Sequence, residues 1–426
     1  MKILVYGINY APELTGIGRY TGDMAASLAA AGHDVRVVCA PPYYPAWKVS
    51  PGFSSSRYAK EHSEGVRVWR APLWVPARPK GARRLLHLAS FALSSFPVML
   101  RHVFWRPKAV LCIAPSLLNA PAGWLVAQLT GAHAWLHVQD YEVDAAFKLG
   151  MLKGNWRKRM ALAIERGLLR RFDTVSTISA KMIEHALNKG VARDKVVHFA
   201  NWVDTSAIHP LNIQDRAKVP LRDELEIPAD ATVVLYSGNM GAKQGLEVLA
   251  TAAATLAARR DLVFVFCGAG PAKDGLTAIC GDLPNTRFIP LQPMERLNEL
   301  LNLADIHALP QRADAADLVM PSKLTGMLAS GRPVIAMAHE GTELFDTVAP
   351  RGVVVPPEAL EPLVAAIEAL AADPARREQL GRAGRDYALA VLSRESVLGE
   401  FESTLRLRCA DTEPVSSALG LRQRDL

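Results

Sequence analysis

Short apolar runs of five to seven residues recur along the chain, and between them apolar positions fall three or four apart. The first run, KILVYGI (2–8), reads as a buried strand. Beyond it, Tyr20, Met24 and Leu28 line one face of a helix expected from about Gly18 to Ala31, and Gly32 closes it. DVRVVCA (34–40), AVLCIA (109–114), AWLHV (134–138) and TVSTIS (174–179) continue the strands. Strands and helices alternating in this way build a parallel, doubly wound sheet.

The rhythm restarts after ANWVDTSAIHPLN (200–212). TVVLYSG (232–238) leads through a glycine turn into a helical stretch, EVLATAAATLAA. LVFVFCG (262–268), TRFIP (286–290), DIHALP (305–310), PVIAMA (333–338) and GVVVP (352–356) follow as strands. The expected fold is α/β, with two Rossmann-like doubly wound domains, 1–205 and 206–411, and a polar, flexible tail at 412–426.

Composition agrees with two cores: 426 residues, half of them hydrophobic, exceed one ordinary core. Charge adds an asymmetry. Residues 1–205 carry 27 Lys and Arg against 13 Asp and Glu, while 206–426 carry 22 against 29. A basic first half suits an anionic partner: nucleic acid, membrane lipid or a phosphorylated substrate. A solvated basic surface is the plainer reading. No nucleic-acid-binding motif accompanies the charge. Five cysteines without CxxC spacing suit free thiols in a reducing cytoplasm. The chain enters its first strand with no signal-peptide layout. The greasiest stretch, Leu85 to Trp105, is interrupted by His87, Pro97, Arg101 and His102 and makes a poor membrane span.

The turn after the first strand, PELTGIGRYTG (12–22), is rich in glycine. Gly16 and Gly18 would let backbone N–H groups at a helix start approach a phosphate or a sugar; a tight turn that binds nothing is the competing reading. The spacing misses the dinucleotide fingerprint by one residue, and the second strand ends in Cys39-Ala40-Pro41-Pro42 without the acid that would hold a ribose. A P-loop pattern is absent. NAD-dependent chemistry is thereby a minor reading.

Three loops of the second half lie at the carboxyl ends of strands, where open α/β sheets bind ligands. SGNMGAKQGLE (237–247) combines Gly238 and Asn239 with Lys243 at a helix start. FCGAGP (266–271) is a tight turn at Gly268. In LVMPSKLTGMLASGRPVIAMAHEGTE (318–343), Pro321 and Ser322 precede Lys323 at a helix start, and Glu340, Gly341 and Glu343 follow the next strand. Two lysines and several helix N-termini would meet a diphosphate, although each lysine alone reads as a surface residue. Glu340 and Glu343 would bond sugar hydroxyls or complement a helix start. In PPYYPAW (41–47), Tyr43, Tyr44 and Trp47 would stack an acceptor sugar or form a packed lid. HVQDYEVD (137–144) gathers acids at a strand's end; Asp140 is a positioning candidate or a helix N-cap, and His137 reads as core.

Two basic clusters flank apolar sequence: Arg78, Lys80, Arg83, Arg84, Arg101, Arg106 and Lys108, then Lys153, Arg157, Lys158, Arg159, Arg166, Arg170 and Arg171. A basic, greasy helix fits docking on a membrane surface, or a core helix with a solvated face.

The loop SGNMGAKQGLE, the FCGAGP turn and PSK…ASGRPVIA resemble the C-terminal half of the retaining family 4 glycosyltransferases of the two-Rossmann (GT-B) class. KILVYGINYAPELTGIGRYTGDMA, APPYYPAWKV, HVQDYEVDA and DLVMPSKL resemble, more narrowly, the type assigned to colanic acid biosynthesis. The resemblance implies two domains facing a cleft, with the acceptor on the first and the nucleotide mostly on the second. It implies that PELTGIGRY closes over the donor's diphosphate and sugar. It implies fucose transfer from GDP-fucose to a polyprenyl-diphosphate-linked oligosaccharide by a peripheral protein on the cytoplasmic face of the inner membrane. Asp140 stands where relatives carry a residue facing the donor sugar.

The sequence departs from that family at three places. Gly326 stands where a glutamate usually holds the ribose, with Leu318 at the paired position and Asp317 beside it. Asn239 replaces an arginine, and Gln244, next to Lys243, replaces a lysine. Lys243 and Lys323 would then share the diphosphate, stabilising its departure electrostatically. No D-x-D acid pair is present, and Asp314 and Asp317 have the wrong spacing, so transfer without a metal or other cofactor is expected. A UDP-sugar donor, a nucleotide-sugar 2-epimerase of the same architecture and a sugar-nucleotide-binding protein without activity remain as alternatives.

Overall fold

The computed structural model describes residues 1–13, 16–77, 81–114, 117–141, 155–211, 219–241, 244–313 and 321–410, the side chains of 155, 157 and 158 excepted. Two compact units emerge. The first comprises Met1–Ser176, Ala186–Val197 and the segment from Leu398 onward; the second comprises Thr177–His185 and His198–Val397. Residues 398–410, read from sequence with the second half, group with the first unit.

The first unit's sheet contains β1 (Lys2–Tyr6), β2 (Asp34–Cys39), β3 (Ala59–Ser63), β4 (Val66–Arg70), β5 (Ala109–Ala114), β6 (His133–Val138), β7 (Thr174–Thr177) and β8 (Val196–His198), in the order β3-β4-β2-β1-β5-β6-β7-β8. β1 pairs in parallel with β2 and β5, and β3 with β4 antiparallel. β1, β5 and β6 are near-continuous apolar runs because both faces are covered. β3 is an exposed edge strand of polar residues, AKEHS, and carries no alternation for sequence reading to find. Helices α1 (Gly16–Ala30), α2 (Ala82–Arg101) and α3 (Ala120–Thr130) supply the crossovers. Trp135 fills the core, its indole N–H donating to Ser176 Oγ at 2.7 Å, with Phe401 edge-on at 5.3 Å. All five cysteines are buried and outside any disulfide.

The second unit is a six-stranded sheet of β9 (Thr232–Asn239), β10 (Leu262–Ala269), β11 (Thr286–Ile289), β12 (Ile306–Leu309), β13 (Val334–Met337) and β14 (Val353–Val355), ordered β11-β10-β9-β12-β13-β14. Its pairings are parallel throughout. Both sheets therefore have the doubly wound Rossmann-like pattern. Strand order reverses between β1 and β5 in one unit and between β9 and β12 in the other. The loops leaving β1 and β9 sit at these switch points, where open sheets leave a crevice for ligands.

Candidate functional site

At the end of β9 the chain comes unusually close to β10. Gly238 and Gly268 are register partners, and a Cβ at Gly268 would lie 1.9 Å from the Gly238 carbonyl oxygen. A Cβ at Gly270 would lie 2.3 Å from the Met240 carbonyl oxygen. That oxygen accepts the Ala272 N–H at 2.9 Å, and Met240 N–H donates to Ala269 at 2.9 Å. The glycines here satisfy a steric demand of the scaffold itself. They bind the two turns into one rigid shelf, with Asn239 exposed on it.

Lys323 opens the helix α4 (Lys323–Ala329) and reaches this shelf. Its Nζ would be 3.2 Å from a Cβ at Gly238. It donates to Tyr236 Oη at 2.8 Å and lies 4.1 Å from that ring's centre. Tyr236 Oη in turn donates to the Asn239 carbonyl at 2.5 Å. Burial holds the lysine's pKa down to about 7 and pushes the tyrosine's up. The result is a pre-positioned cation beside a glycine turn, suited to a phosphate. Tyr236 was missed in the sequence because a tyrosine inside an apolar strand reads as core.

The remaining candidates of this unit divide. Pro321 and Ser322 lead directly into Lys323, and Pro321 O accepts the Leu324 N–H at 3.0 Å. Glu340 and Gly341 form an exposed turn after β13, with Gly341 at φ 79°. Glu343 complements a helix start, the second of its two readings: its two carboxylate oxygens accept the N–H groups of Ala180 and Lys181 at 3.1 and 3.0 Å, at the start of the helix Ala180–Asn188. A Cβ at Gly326 would meet Leu301 at 3.3 Å, so that position faces a neighbouring helix. Lys243, Asp314, Asp317 and Leu318 lie outside the described residues.

In the first unit the glycine loop has an unanticipated centre, Glu13, which is 5% exposed. Its Oε1 accepts from the backbone N–H of Tyr43 and of Tyr44, both at 3.1 Å. Its Oε2 accepts the Asn9 amide at 2.9 Å. Desolvation raises its pKa against these bonds. A Cβ at Gly18 would lie 2.4 Å from Glu13 Oε2, so Gly18 makes room for this carboxylate rather than for a ligand. Gly16, at φ 65°, is the position that needs glycine's left-handed freedom, and Tyr44 Cε1 lies 3.7 Å from where its Cβ would stand. A lone acid inside a glycine-rich turn is the signal by which the sequence could have marked Glu13.

Tyr43 is a correction. It is 5% exposed, wedged between Trp47 at 5.5 Å and His87 at 4.8 Å, and so packs the loop instead of stacking a sugar. Tyr44 and Trp47 stay half-buried. Asp140 is also half-buried, two residues past β6. Its neighbours His137 and Gln139 are buried and joined at 3.1 Å between ring and amide nitrogens.

Helix α2 buries His87, Leu88, Phe91, Ser95 and Met99 and turns Leu85, Leu86, Leu93 and Phe96 outward. Phe104, one turn beyond, is 90% exposed. No helix among the described residues is long and apolar enough to cross a membrane. Arg78, Lys80 and Lys153 of the basic clusters lie outside the described residues, as do the side chains of Arg157 and Lys158.

Residues 15–202 match the glycosyl transferase 4-like domain, and residues 218–387 match glycosyl transferases group 1. WcaI of Escherichia coli (strain K12), named as a colanic acid biosynthesis glycosyl transferase, is 43% identical over 95% of this chain and 100% of its own. Among solved structures, sucrose-phosphate synthase from Thermosynechococcus elongatus superposes with a TM-score of 0.76 at 21% identity, covering 96% of this chain and 99% of that one. Anabaena HepE, in complex with UDP and glucose, superposes at 0.69 and 14% identity, covering 96% and 100%. These two likenesses bear on the fold.

Proposed function

The chain belongs to the family 4 glycosyltransferases of the GT-B class, and from that premise we propose that it transfers fucose from GDP-fucose to a polyprenyl-diphosphate-linked oligosaccharide during assembly of a colanic-acid-like exopolysaccharide. The observation that carries the donor half is Lys323 at the Gly238–Gly268 shelf: a fixed cation and a narrow glycine turn at the switch point of the second sheet. The pathway half rests on the whole-chain likeness to WcaI.

In this reading the donor's diphosphate lies against Lys323, with Lys243 as a second cation, and Asn239 donates hydrogen bonds where a charge is absent. The lysines stabilise the departing nucleoside diphosphate without a metal ion. Asp140 orients the acceptor hydroxyl or faces the positive charge that develops at the anomeric carbon. The protein sits peripherally on the cytoplasmic face of the membrane through the basic, apolar side of α2.

The test is a thermal-shift panel of GDP, UDP and TDP on the full chain, followed by incorporation of labelled fucose from GDP-fucose into extractable lipid. Native-state binding raises the melting temperature by mass action. A selective rise with GDP together with label in the lipid fraction supports the reading. A rise with UDP alone replaces the donor.

A further inference from the structure

The first unit contains a groove of about 590 Å³ to which the reading above assigns no occupant. One wall is Trp47 and Val49, from the loop after β2; the other is Leu73, Trp74 and Val75, after β4. Its floor comes from α2 through Ser90 and Ser94. Ser90 Oγ donates to the His87 carbonyl at 2.7 Å and accepts the Trp74 N–H at 3.0 Å. Ser94 Oγ donates to the Pro72 carbonyl at 2.5 Å. The floor hydroxyls thus fasten α2 to the Pro72–Trp74 segment, with their protons committed to the backbone. What the groove offers an occupant is chiefly apolar surface, which suits hydrocarbon better than sugar.

Charge and position narrow the occupant further. None of the 75 residues from Gly65 to Gln139 is acidic, while nine are Lys or Arg. Lys48 lines the groove. Arg84 is close enough to act electrostatically on both Tyr44 and His87. Trp47 packs 5.1 Å from His87, and Tyr44 borders Gly16. The loop that lends Trp47 and Lys48 to the groove thus also borders Gly16 through Tyr44, and α2, which lends Ser90 and Ser94, exposes Leu85, Leu86 and Leu93.

We propose that this groove holds the first isoprene units of a polyprenyl-diphosphate acceptor, with the diphosphate at Lys48 and Arg84 and the glycan directed toward Gly16. The inference rests on the lipid-linked acceptor in the reading above and assigns that lipid its place on this chain.

The experiment is photolabelling of the full chain with a diazirine-bearing analogue of farnesyl diphosphate, with labelled peptides located by mass spectrometry. The expected result is saturable label within 47–49 or 72–75, displaced by farnesyl diphosphate and at least tenfold less well by inorganic diphosphate. Val75→Glu and, independently, Ser90→Trp should each cut that label at least tenfold. The wild-type circular dichroism and urea midpoint should persist in both variants, which certifies the fold. Label confined to Leu85, Leu86 and Leu93 would overturn the groove in favour of bilayer contact. Saturable label at any other place would overturn the groove and leave a lipid-linked acceptor standing. Absence of saturable label, with transfer to a lipid-free oligosaccharide, would remove both.

Discussion

The ammonium of Lys323 lies 2.8 Å from the Tyr236 hydroxyl and 4.1 Å from the centre of its ring, although 87 positions separate the two in sequence. The tyrosine both accepts from the lysine and anchors itself on the Asn239 carbonyl, so it aims the cation at the shelf. Tyr236→Phe removes the acceptor and keeps the ring. A hydrogen bond to a charged group contributes about 1.5–3 kcal/mol to stability, so the free protein should lose an amount of that order, and nucleoside diphosphate affinity should fall as well because the lysine is no longer held at the shelf. Lys323→Ala should lose more affinity than Tyr236→Phe. Isothermal titration of GDP and UDP against the three proteins measures both.

Burial holds the Lys323 pKa at about 7, so near neutrality a large share of the free protein carries it uncharged. A bound diphosphate favours the charged form, and binding above that pH must take up a proton. Below the free-state pKa no uptake is needed; above it, affinity should fall by up to tenfold per pH unit. Titrations between about pH 7.5 and 8.5, in buffers of different ionisation enthalpy, should show uptake approaching one proton. Lys323→Arg should flatten this profile, because a guanidinium stays charged throughout.

The shelf itself gives a stability prediction. A methyl at Gly268 would stand 1.9 Å from the Gly238 carbonyl oxygen, and backbone on the facing strand cannot step aside as a side chain would. Gly268→Ala should destabilise the second unit by roughly 1–3 kcal/mol or more and weaken nucleotide binding with it. Gly275 is exposed within the helix Lys273–Cys280 and has open space around its Cβ position. Gly275→Ala should therefore stabilise by roughly 0.5–1 kcal/mol. Urea denaturation of the two variants decides whether the glycines act by conformation or by contact.

Glu13 ties two loops through hydrogen bonds, and its charge is incidental to that task. Glu13→Gln keeps an acceptor for the Tyr43 and Tyr44 N–H groups, and the Asn9 amide can turn over to meet the new amide. Its cost should stay under about 1 kcal/mol. Glu13→Ala leaves those donors buried and opens a void, and should cost roughly 3 kcal/mol. Equal losses in the two variants, measured by urea unfolding, would show that the carboxylate's charge matters more than its geometry.

Much of the fold is legible in the sequence because the central stretches of β1, β5, β9 and β10 are buried on both faces and therefore run apolar. The edge strand β3 escapes that logic, since its polar residues face water. The glycine turns of the site are legible for a related reason: glycine is demanded where backbones nearly touch. The reason at each glycine is not. Gly18 reads as a place for a ligand, yet its neighbour is the carboxylate of Glu13. Glu343 reads as a sugar contact or as a complement to a helix start, and its partners are backbone groups 162 and 163 positions away. Partnerships at that separation leave no periodic trace, so residue types pointed to the site while the pairings within it came only from the fold.

The last prediction concerns a buried ion pair behind Asp140. Lys189 and Glu165 form a direct contact with side chains 4% and 1% exposed, and Lys189 Nζ lies 5.3 Å from the ring of Tyr141, next to Asp140. Both side chains are almost fully withdrawn from water, and their contact offsets part of the desolvation of each. Lys189→Met should cost about 3–5 kcal/mol, because it removes the cation in direct contact with a carboxylate that is 1% exposed. Joining Glu165→Leu to it should recover most of that loss, since a buried pair replaced by apolar groups of similar volume is near neutral. The double variant then separates stability from chemistry. If the pair also positions the acid loop through Tyr141, transfer will stay slow in the double variant after its urea midpoint has returned, and Tyr141→Leu alone will reproduce the slow transfer. Full recovery of rate with stability would mean that the pair serves only the fold.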